Sequence, residues 1–205
     1  MTSTKRFTDI FIAVVIFALL APVLLVTALI ILVLEGRPVF YVSDRSHSQE
    51  KTFRLVKFRT MCPDENDSGA SGGHKAGRVT RTGAFLRKSR LDETPQLWNI
   101  LMGDMSFVGP RPPLPLYVDR FPEIYSKVLT CRPGVTGLAS VYFHEHEENL
   151  LRNCQSQKEN DEVYEERCIP RKAAIDLIYL RNRTFCFDVW IMLATVFKSL
   201  RRNRA

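Results

Sequence analysis

The chain has 205 residues, 45% of them apolar, which is enough for one core but short for two full-sized globular domains. A formal net charge of +7 at pH 7 favours an anionic partner, which can be a lipid headgroup, a phosphorylated substrate or nucleic acid. The five cysteines form neither a Cys-x-x-Cys pair nor a zinc pattern, so we expect free thiols in a reducing compartment.

An apolar stretch without any charge occupies residues 10–34. It predicts one long helix over residues 7–34, ending at Glu35, and exceeds the roughly 20 apolar residues that cover a hydrocarbon core. The stretch is too long for a signal-peptide core and no small-x-small cleavage site follows it, so we expect it to be retained. We therefore divide the chain into a membrane anchor, residues 1–36, and one further domain, residues 37–205.

Positive charge lies on both sides of this stretch, with Lys5 and Arg6 before it and Arg37 and Arg45 after it. Pro22 lies near the middle, where it removes a backbone donor and kinks the helix axis. A spanning helix would carry one cationic end outward, against the tendency of basic residues to remain in the cytoplasm. We therefore favour a kinked, re-entrant helix over a spanning one, although both topologies are open.

The remaining chain predicts an α+β fold that is mostly helical, with short helices, little strand and irregular loops. Strands are expected at residues 39–42 and 53–58, and a mobile, glycine-rich loop at 63–81, either a lid or, as we prefer, a flexible surface loop. Helices are expected at 82–89, capped by Thr82, at 94–101, at 116–129 with a break near Pro122, and at 175–180. Residues 145–166 are expected to be helical or partly disordered, and residues 103–115 and 132–137 to form tight loops.

The end of the chain has apolar residues at helical spacing, followed by basic ones. The apolar set is Phe187, Trp190, Ile191, Ala194, Phe197 and Leu200, and the basic set is Lys198, Arg201, Arg202 and Arg204. An amphipathic helix at an anionic membrane interface and a core-facing helix with a basic tail explain this pattern equally well.

Two adjacent carboxylates, Asp92 and Glu93, stand in the most reactive part of the sequence. Neighbouring residues on a regular helix do not share a face, so joint action of the two would require a helix end or a turn. Carboxylates beside cations are stabilised as anions, and they can recruit a magnesium ion that offsets the charge of a diphosphate.

Basic residues suited to phosphate surround this pair in the sequence. Arg111 lies between Pro110 and Pro112, whose rings restrict the backbone and hold the guanidinium fork in place for bidentate phosphate binding. Three further cations can add to the same pocket: Lys57, Arg59 and Arg132. Any one of these charges taken alone is more simply a solvated surface charge.

Three runs of sequence match a known family: KFRTM at residues 57–61, SRLDETPQLWNILMGDMSFVGPRP at 89–112, and RPGVTG at 132–137. They resemble the bacterial sugar transferases, which are monotopic polyprenyl-phosphate phosphoglycosyl transferases. The resemblance covers nearly the whole chain, and the central run is far longer than a short motif.

The resemblance implies a ping-pong reaction. Asp92 would attack the sugar-linked phosphate of a UDP-sugar, release UMP and carry the phosphosugar until undecaprenyl phosphate takes it up. Glu93 would position the phosphate and hold Mg²⁺ together with Asp92, while Arg111 would bind phosphate with Lys57 and Arg59 in support.

The resemblance also implies a re-entrant helix broken at Pro22, located in the cytoplasmic membrane of a bacterium with the catalytic domain on the cytoplasmic face. The expected partners are a UDP-sugar donor, undecaprenyl phosphate as acceptor and membrane lipid. Mg²⁺ is the expected cofactor, nucleic acid is not an expected partner, and the oligomeric state is open.

Several positions depart from the family pattern. Ala21 replaces a common serine before Pro22, and Thr94 replaces a common leucine. Residues 138–143 replace the usual Gln-Val-Asn-Gly-Arg, and a polar insert at 144–168 follows, so the donor sugar is open. A polar loop is preferred over a metal site for one further cluster: His144, Glu145, His146 and Glu147. Asp176 matches an acidic position in the family, where a structural role is expected.

Two other classes of protein were weighed against this interpretation. A membrane-bound phosphohydrolase would use the carboxylate pair only to hold metal and activate water. A membrane adaptor without catalytic activity would bind nucleic acid or acidic lipid through its basic surface. The sequence has neither a helix-turn-helix nor an aromatic-basic RNA-binding pattern, which disfavours the adaptor.

Overall fold

The computed structural model describes residues 3–64, 69, 72–197 and 200, and of His74 only the backbone. Its α-helices are α1 (Ser3–Glu35), α2 (Arg81–Ser89), α3 (Gln96–Met102), α4 (Pro115–Arg120), α5 (Pro122–Val128), α6 (Leu138–Tyr142), α7 (His144–Arg152), α8 (Gln157–Val163), α9 (Ile169–Asn182) and α10 (Phe185–Val196). Its strands are β1 (Phe40–Ser46), β2 (Thr52–Phe58), β3 (Ser106–Val108) and β4 (Gly134–Thr136). The predicted mostly helical fold with little strand is confirmed.

Helix α1 is a single helix of 33 residues that contains Pro22, and the break expected at Pro22 stays a prediction. It contains an 18-residue window with a mean hydropathy of 3.1, so by length and composition it could cross a membrane. Many of its large apolar side chains are exposed, among them Leu19, Leu25 and Val33. Such a surface requires lipid or another apolar cover, which agrees with the predicted membrane helix.

The rest of the molecule packs along one side of α1. Ala13 and Ile16, in the first half of the helix, lie in a core cluster with side chains of β2 and α3. Ala28 and Ile31, in the second half, lie in another cluster with Phe58 at the end of β2. The domain therefore contacts α1 near both of its ends.

Polar contacts fix the first turns of α1. Lys5 forms an ion pair with Asp188 of α10. Arg6 donates hydrogen bonds of 2.6 and 3.0 Å to the carbonyl oxygens of Ile100 and Leu101 at the end of α3. These contacts join the start of the apolar helix to elements that follow it by more than 90 residues in the sequence.

Both pairs of strands position loops that carry predicted site residues. β1 and β2 form an antiparallel hairpin in which Tyr41 lies opposite Lys57. β3 and β4 pair in parallel, which brings the loop after β3 against the loop before β4. A Cβ atom on Gly134 would lie 2.2 Å from the backbone nitrogen of Gly109, so glycine is required where these loops meet.

Several predicted boundaries are corrected by the structure. Thr80, and not Thr82, caps α2, because its side chain accepts a hydrogen bond from the Gly83 nitrogen. The predicted helix at 94–101 begins at Gln96, after Pro95. Of the predicted loop at 63–81, residues 65–68, 70 and 71 lie outside the described residues, while Gly73–Arg78 forms a 3-10 helix.

Most of the polar insert is helical. Helices α7 and α8 account for most of it, and a π-helical turn at Tyr164–Cys168 leads directly into α9. The helical alternative predicted for residues 145–166 is therefore correct. The five cysteines are free, as expected.

Helix α10 uses the predicted apolar stripe mainly to pack against the core. Ile191 and Ala194 are fully buried, and Phe187, Trp190 and Leu200 pack against the same cluster. Of the predicted stripe, only Phe197 is largely exposed. The core-facing interpretation therefore holds for this stripe. Contact of α10 with a membrane stays a prediction, which would involve its other apolar face: Phe185, Leu193 and Val196. The basic residues Lys198, Arg201, Arg202 and Arg204 lie outside the described residues.

Candidate active site

A cavity of about 1300 Å³ lies between the β1–β2 hairpin, the segment that joins α2 to α3, and helices α6, α7 and α9. Six of the predicted site residues line it: Lys57, Arg59, Asp92, Glu93, Arg111 and Pro112. The remaining two, Pro110 and Arg132, are not among its lining residues. The structure therefore brings most of the predicted site together around one space.

The carboxylate pair lies at the junction of α2 and α3. Helix α2 ends at Arg90, whose φ of 59° places it in the left-handed region that non-glycine residues rarely adopt. A 3-10 turn over Leu91–Glu93 follows, and α3 begins after Pro95. The prediction that joint action of the two carboxylates would require a helix end or a turn is met, because the turn directs both towards the cavity.

Glu93 is held by an ion pair with Arg111. Its Oε1 atom accepts a hydrogen bond of 2.5 Å from Nη2 of Arg111. Burial alone would raise the pKa of Glu93, but the charge and hydrogen bond of Arg111, with help from Lys57 and Arg90, lower it to about 2. In return, the charge of Glu93 raises the pKa of Arg111. Both groups are therefore charged over the whole physiological range.

Asp92 differs from its neighbour because one of its oxygens is uncommitted. The side chain is 8% exposed, and its Oδ1 atom has no hydrogen-bond partner in the part of the chain that the structure describes. Burial and the charge of Glu93 raise the pKa of Asp92, while Lys57 and Arg87 oppose that shift. A buried acceptor without a partner is destabilising, so this oxygen is poised for a ligand or a reaction.

Lys57 and Arg45 lie on the β1–β2 hairpin and add positive charge to the lining of the cavity. Burial, together with the nearby charges of Arg111 and Arg45, lowers the pKa of Lys57 to about 8. Arg45 donates a hydrogen bond of 3.3 Å to the carbonyl oxygen of Pro112. The sequence analysis considers Arg45 only as one of the basic residues that flank the apolar helix. No signal in the sequence marked this position, because Arg45 reaches the cavity only through the pairing of β1 with β2.

Arg59 lines the cavity, but its guanidinium group is engaged elsewhere. Nη1 and Nη2 donate hydrogen bonds of 2.7 to 3.0 Å to the carbonyl oxygens of Glu35, Gly36 and Arg37. These are carbonyl groups at the end of α1, which the helix itself cannot satisfy. Arg59 thus caps the membrane helix, and its supporting role towards phosphate stays a prediction.

Pro110 and Arg132 lie outside the cavity and contact neighbouring backbone and side chains. Pro110 is fully buried, and its carbonyl oxygen accepts a hydrogen bond of 2.9 Å from the Gly134 nitrogen. Arg132 lies beside Gly103 and near Arg6 at the start of α1. Arg132 was predicted to add to the phosphate pocket but is not among the residues that line this cavity, so its role towards phosphate stays a prediction.

A second group of polar side chains lines the cavity where α7 and α9 meet. Glu147 accepts a hydrogen bond of 2.8 Å from Lys172, which also lies 3.2 Å from the hydroxyl of Tyr164. Asp176, one turn further along α9, is 5% exposed, and its Oδ1 atom has no partner among the described residues. Burial raises the pKa of Asp176 to about 7 although Lys172 opposes the shift. Sequence reasoning had given Asp176 a structural role.

The histidines of the insert do not form a metal site. His144 contacts Glu148 at 3.3 Å, and His146 contacts Arg171 at 3.1 Å. Among the described side chains, no group of three or more His, Cys, Asp or Glu residues could hold a metal ion. The preferred prediction of a polar loop for residues 144–147 is corrected, because the structure places them in the first turn of α7.

Comparison with known proteins supplies the family. The sequence profile of the family "Bacterial sugar transferase" matches residues 1–202. A UDP-glucose:undecaprenyl-phosphate glucose-1-phosphate transferase from Caulobacter vibrioides is 35% identical over 206 residues, which cover 98% of this chain and 71% of the relative. The exopolysaccharide production protein PSS from Rhizobium leguminosarum bv. phaseoli is 35% identical over 213 residues, covering 98% of this chain and 96% of the relative.

A third relative is longer. A UDP-N-acetylgalactosamine-undecaprenyl-phosphate N-acetylgalactosaminephosphotransferase from Aeromonas hydrophila is 33% identical over 201 residues, which cover 96% of this chain but 43% of the relative. The chain thus spans less than half of the length of that protein. With its family profile matched almost from end to end, the chain belongs to the bacterial sugar transferases.

Proposed function

We propose that the chain transfers a sugar-1-phosphate from a UDP-sugar to undecaprenyl phosphate. The observation that carries the proposal is the unpartnered Oδ1 atom of Asp92, which lies in one cavity with the Glu93–Arg111 ion pair. The names of the relatives from Aeromonas and Caulobacter support a UDP-sugar as donor and undecaprenyl phosphate as acceptor.

In the first step, Oδ1 of Asp92 attacks the phosphorus that carries the sugar. The new O–P bond forms as the bond to the bridging oxygen of the diphosphate breaks, and UMP leaves with that electron pair. In the second step, a phosphate oxygen of undecaprenyl phosphate attacks the same phosphorus. The Asp92 carboxylate then leaves, and the product is a lipid-linked sugar diphosphate.

An anionic nucleophile that approaches a diphosphate is repelled unless nearby cations offset the charge. Arg111 and Lys57 line the cavity and supply that charge, and Arg87 and Arg90 lie within electrostatic range of Asp92. The pKa of about 8 leaves Lys57 mostly protonated at neutral pH. Glu93 keeps Arg111 in place and is itself held as an anion.

The carboxylate pair also fits a magnesium ion. Mg²⁺ is commonly bound by one or two carboxylates together with phosphate oxygens of the substrate, and here Asp92 has an uncommitted oxygen beside Glu93. Asp92 and Glu93 would hold the ion. When bound, it would supply positive charge that offsets the charge of the diphosphate.

We further propose that α1 is re-entrant and lies in the cytoplasmic membrane, with the catalytic domain on the cytoplasmic face. The same domain contacts the start of α1 through Lys5 and Arg6 and its end through Arg59. A spanning helix would separate these polar contacts by a hydrocarbon core about 30 Å thick, which one compact domain on one side of the membrane cannot bridge. Contacts at both ends favour a helix that enters and leaves on the same side.

The proposed reaction is tested with purified protein, Mg²⁺ and a panel of UDP-sugars, with and without undecaprenyl phosphate. We expect release of UMP with at least one donor and a phosphosugar adduct on Asp92 in the intact mass when the acceptor is omitted. A phosphohydrolase would release product without an adduct, and an adaptor would release nothing. Either result would contradict the proposal.

A further inference from the structure

The cavity has walls of opposite charge. The β1–β2 hairpin and the segment around the carboxylate pair contribute mainly cations, including Lys57, Arg87 and Arg90. Helix α7 contributes three lining glutamates instead: Glu145, Glu147 and Glu148. Asp176 of α9 adds a further carboxylate. A diphosphate matches the basic wall, while the acidic wall is suited to a part of the substrate that lacks negative charge.

Arg111 lies within electrostatic range of both walls. Arg111 donates a hydrogen bond to Glu93. The charge of Glu147 on the other wall also contributes to the raised pKa of Arg111. The acidic wall therefore begins beside the residue that is proposed to bind phosphate. In a UDP-sugar, the group attached to the outer phosphate is the sugar ring.

Glu147 is fixed in position by its neighbours. Lys172 donates a hydrogen bond of 2.8 Å to its Oε1 atom, and Lys172 is in turn 3.2 Å from the hydroxyl of Tyr164. The side chains of Lys172 and Glu147 are only 17% and 18% exposed. A carboxylate held in this way can accept hydrogen bonds from a ligand without the loss of side-chain freedom that a mobile residue would incur.

Asp176 provides an independent indication of a ligand. It is 95% buried, lines the cavity, and has an Oδ1 atom without a partner in the described part of the chain. In its ionised form Asp176 accepts hydrogen bonds only, and the partner of Oδ1 is then an O–H or N–H group. The hydroxyl and amide groups of a sugar are donors of this kind.

We propose that Glu147 and Asp176 bind the sugar ring of the donor by accepting hydrogen bonds from its hydroxyl or amide groups. The same two carboxylates repel sugars that carry a carboxylate, so the site selects neutral sugars over uronic acids. Glu147 belongs to the polar insert that departs from the family pattern, whereas Asp176 matches an acidic position of the family. The inference rests on the proposed transferase function.

The test compares wild-type protein with Glu147→Gln and Asp176→Asn in the release of UMP from UDP-glucose, UDP-N-acetylgalactosamine and UDP-glucuronic acid. We expect wild-type protein to prefer a neutral donor. Each variant should lower kcat/KM for that donor by about tenfold or more, as expected for a lost hydrogen bond to a charged group. The ratio of kcat/KM for the uronic acid donor to that for the neutral donor should rise.

Two readouts separate this inference from a loss of folding and from a failure of the proposed function. Inhibition by UMP, which lacks the transferred sugar, should be unchanged in Glu147→Gln, because a folded cavity still binds the nucleotide. Glu166→Gln, an exposed glutamate of the same insert, should behave as wild type. Wild-type protein that releases UMP from no donor would overturn the proposed function. Variants that retain both UMP inhibition and wild-type donor preference would overturn the inference alone.

Discussion

Nη2 of Arg111 lies 2.5 Å from Oε1 of Glu93, and this ion pair joins a proline-flanked loop to the carboxylate turn across 18 residues of sequence. Glu93 thereby positions the cation that the proposed reaction needs, while Asp92 keeps an oxygen that has no partner among the described residues. The two adjacent carboxylates thus have different environments, which supports the proposed roles of Asp92 as nucleophile and Glu93 as positioning group.

The first prediction concerns this ion pair. Glu93→Gln and Arg111→Lys should each reduce kcat by about 100-fold, because each removes preorganised charge from the transition state. Lysine does not replace the bidentate fork of arginine. The double variant should be little worse than the poorer single variant, since residues that act as a unit are not additive. Steady-state release of UMP measures all three.

The matched control for this prediction is the ion pair between Arg120 and Glu165, which lies outside the cavity. Arg120→Lys and Glu165→Gln should leave kcat within about twofold of wild type, as expected for a partly exposed pair. Effects of the Glu93 and Arg111 variants that simply multiply in the double variant would show that the two residues act independently.

The second prediction concerns the nucleophile. Asp92→Asn should lower kcat by about 1000-fold or more, because the neutral amide is a poor nucleophile. The variant should also form no adduct. Asp119→Asn, on the exposed surface of α4, is the matched control and should retain full activity. Intact mass spectrometry of each variant after incubation with donor alone checks the result. An adduct on the Asp92→Asn protein would refute the assignment.

The third prediction concerns pH. The pKa of Lys57 is about 8, so Lys57 is a cation below this pH and loses its charge as the pH rises through it. The free enzyme should therefore lose kcat/KM above about pH 8, where less positive charge faces the diphosphate. Lys57→Arg should move this alkaline decrease to higher pH, since arginine stays protonated. A profile of kcat/KM from pH 6 to 10, measured at constant ionic strength, tests both statements; an unchanged alkaline limb in the variant would exclude Lys57 as its cause.

The fourth prediction separates the capping role of Arg59 from a catalytic one. Arg59→Gln removes hydrogen bonds to carbonyl groups at the end of α1 and should lower the free energy of unfolding by roughly 2–4 kcal/mol. KM for the UDP-sugar should change little. Arg54→Gln, which alters an exposed arginine on the same strand, is the control for both measurements. Thermal unfolding in detergent and donor titrations check the outcome, and a variant with normal stability but a much higher KM would instead support direct phosphate binding.

Much of the site could be predicted from the sequence because its chemistry is concentrated in continuous runs. The long central run contains Asp92, Glu93 and Arg111, and the local signals around it, a helix end and flanking prolines, act over a few residues. The contributions of Arg45 and Glu147 could not be predicted in this way. They reach the cavity only through the hairpin register and the packing of α7 against α9, which depend on contacts between distant parts of the chain.

The fold shows the same division between local and distant information. The length and hydropathy of α1 follow from composition, and the polar spacing of the insert was consistent with helices. The role of Arg59 was different, because a basic residue in a strand carries no sign of which carbonyl groups it will meet. Only the return of β2 to the end of α1 brings Arg59 to that position.

The final prediction concerns the topology of α1. Single cysteines in place of Thr2 and Glu50, on opposite sides of the apolar helix in the sequence, should react with a membrane-impermeant maleimide from the same side of the membrane. The exposed thiols Cys62 and Cys186 are first replaced by serine. Both positions should be labelled in inside-out vesicles and protected in intact spheroplasts, because both ends of α1 contact the domain that we propose to lie on the cytoplasmic face. Reaction of the residue 2 cysteine only in spheroplasts would establish a spanning helix. In that case the hydrogen bonds from Arg6 to the end of α3 could not form in the membrane-embedded protein.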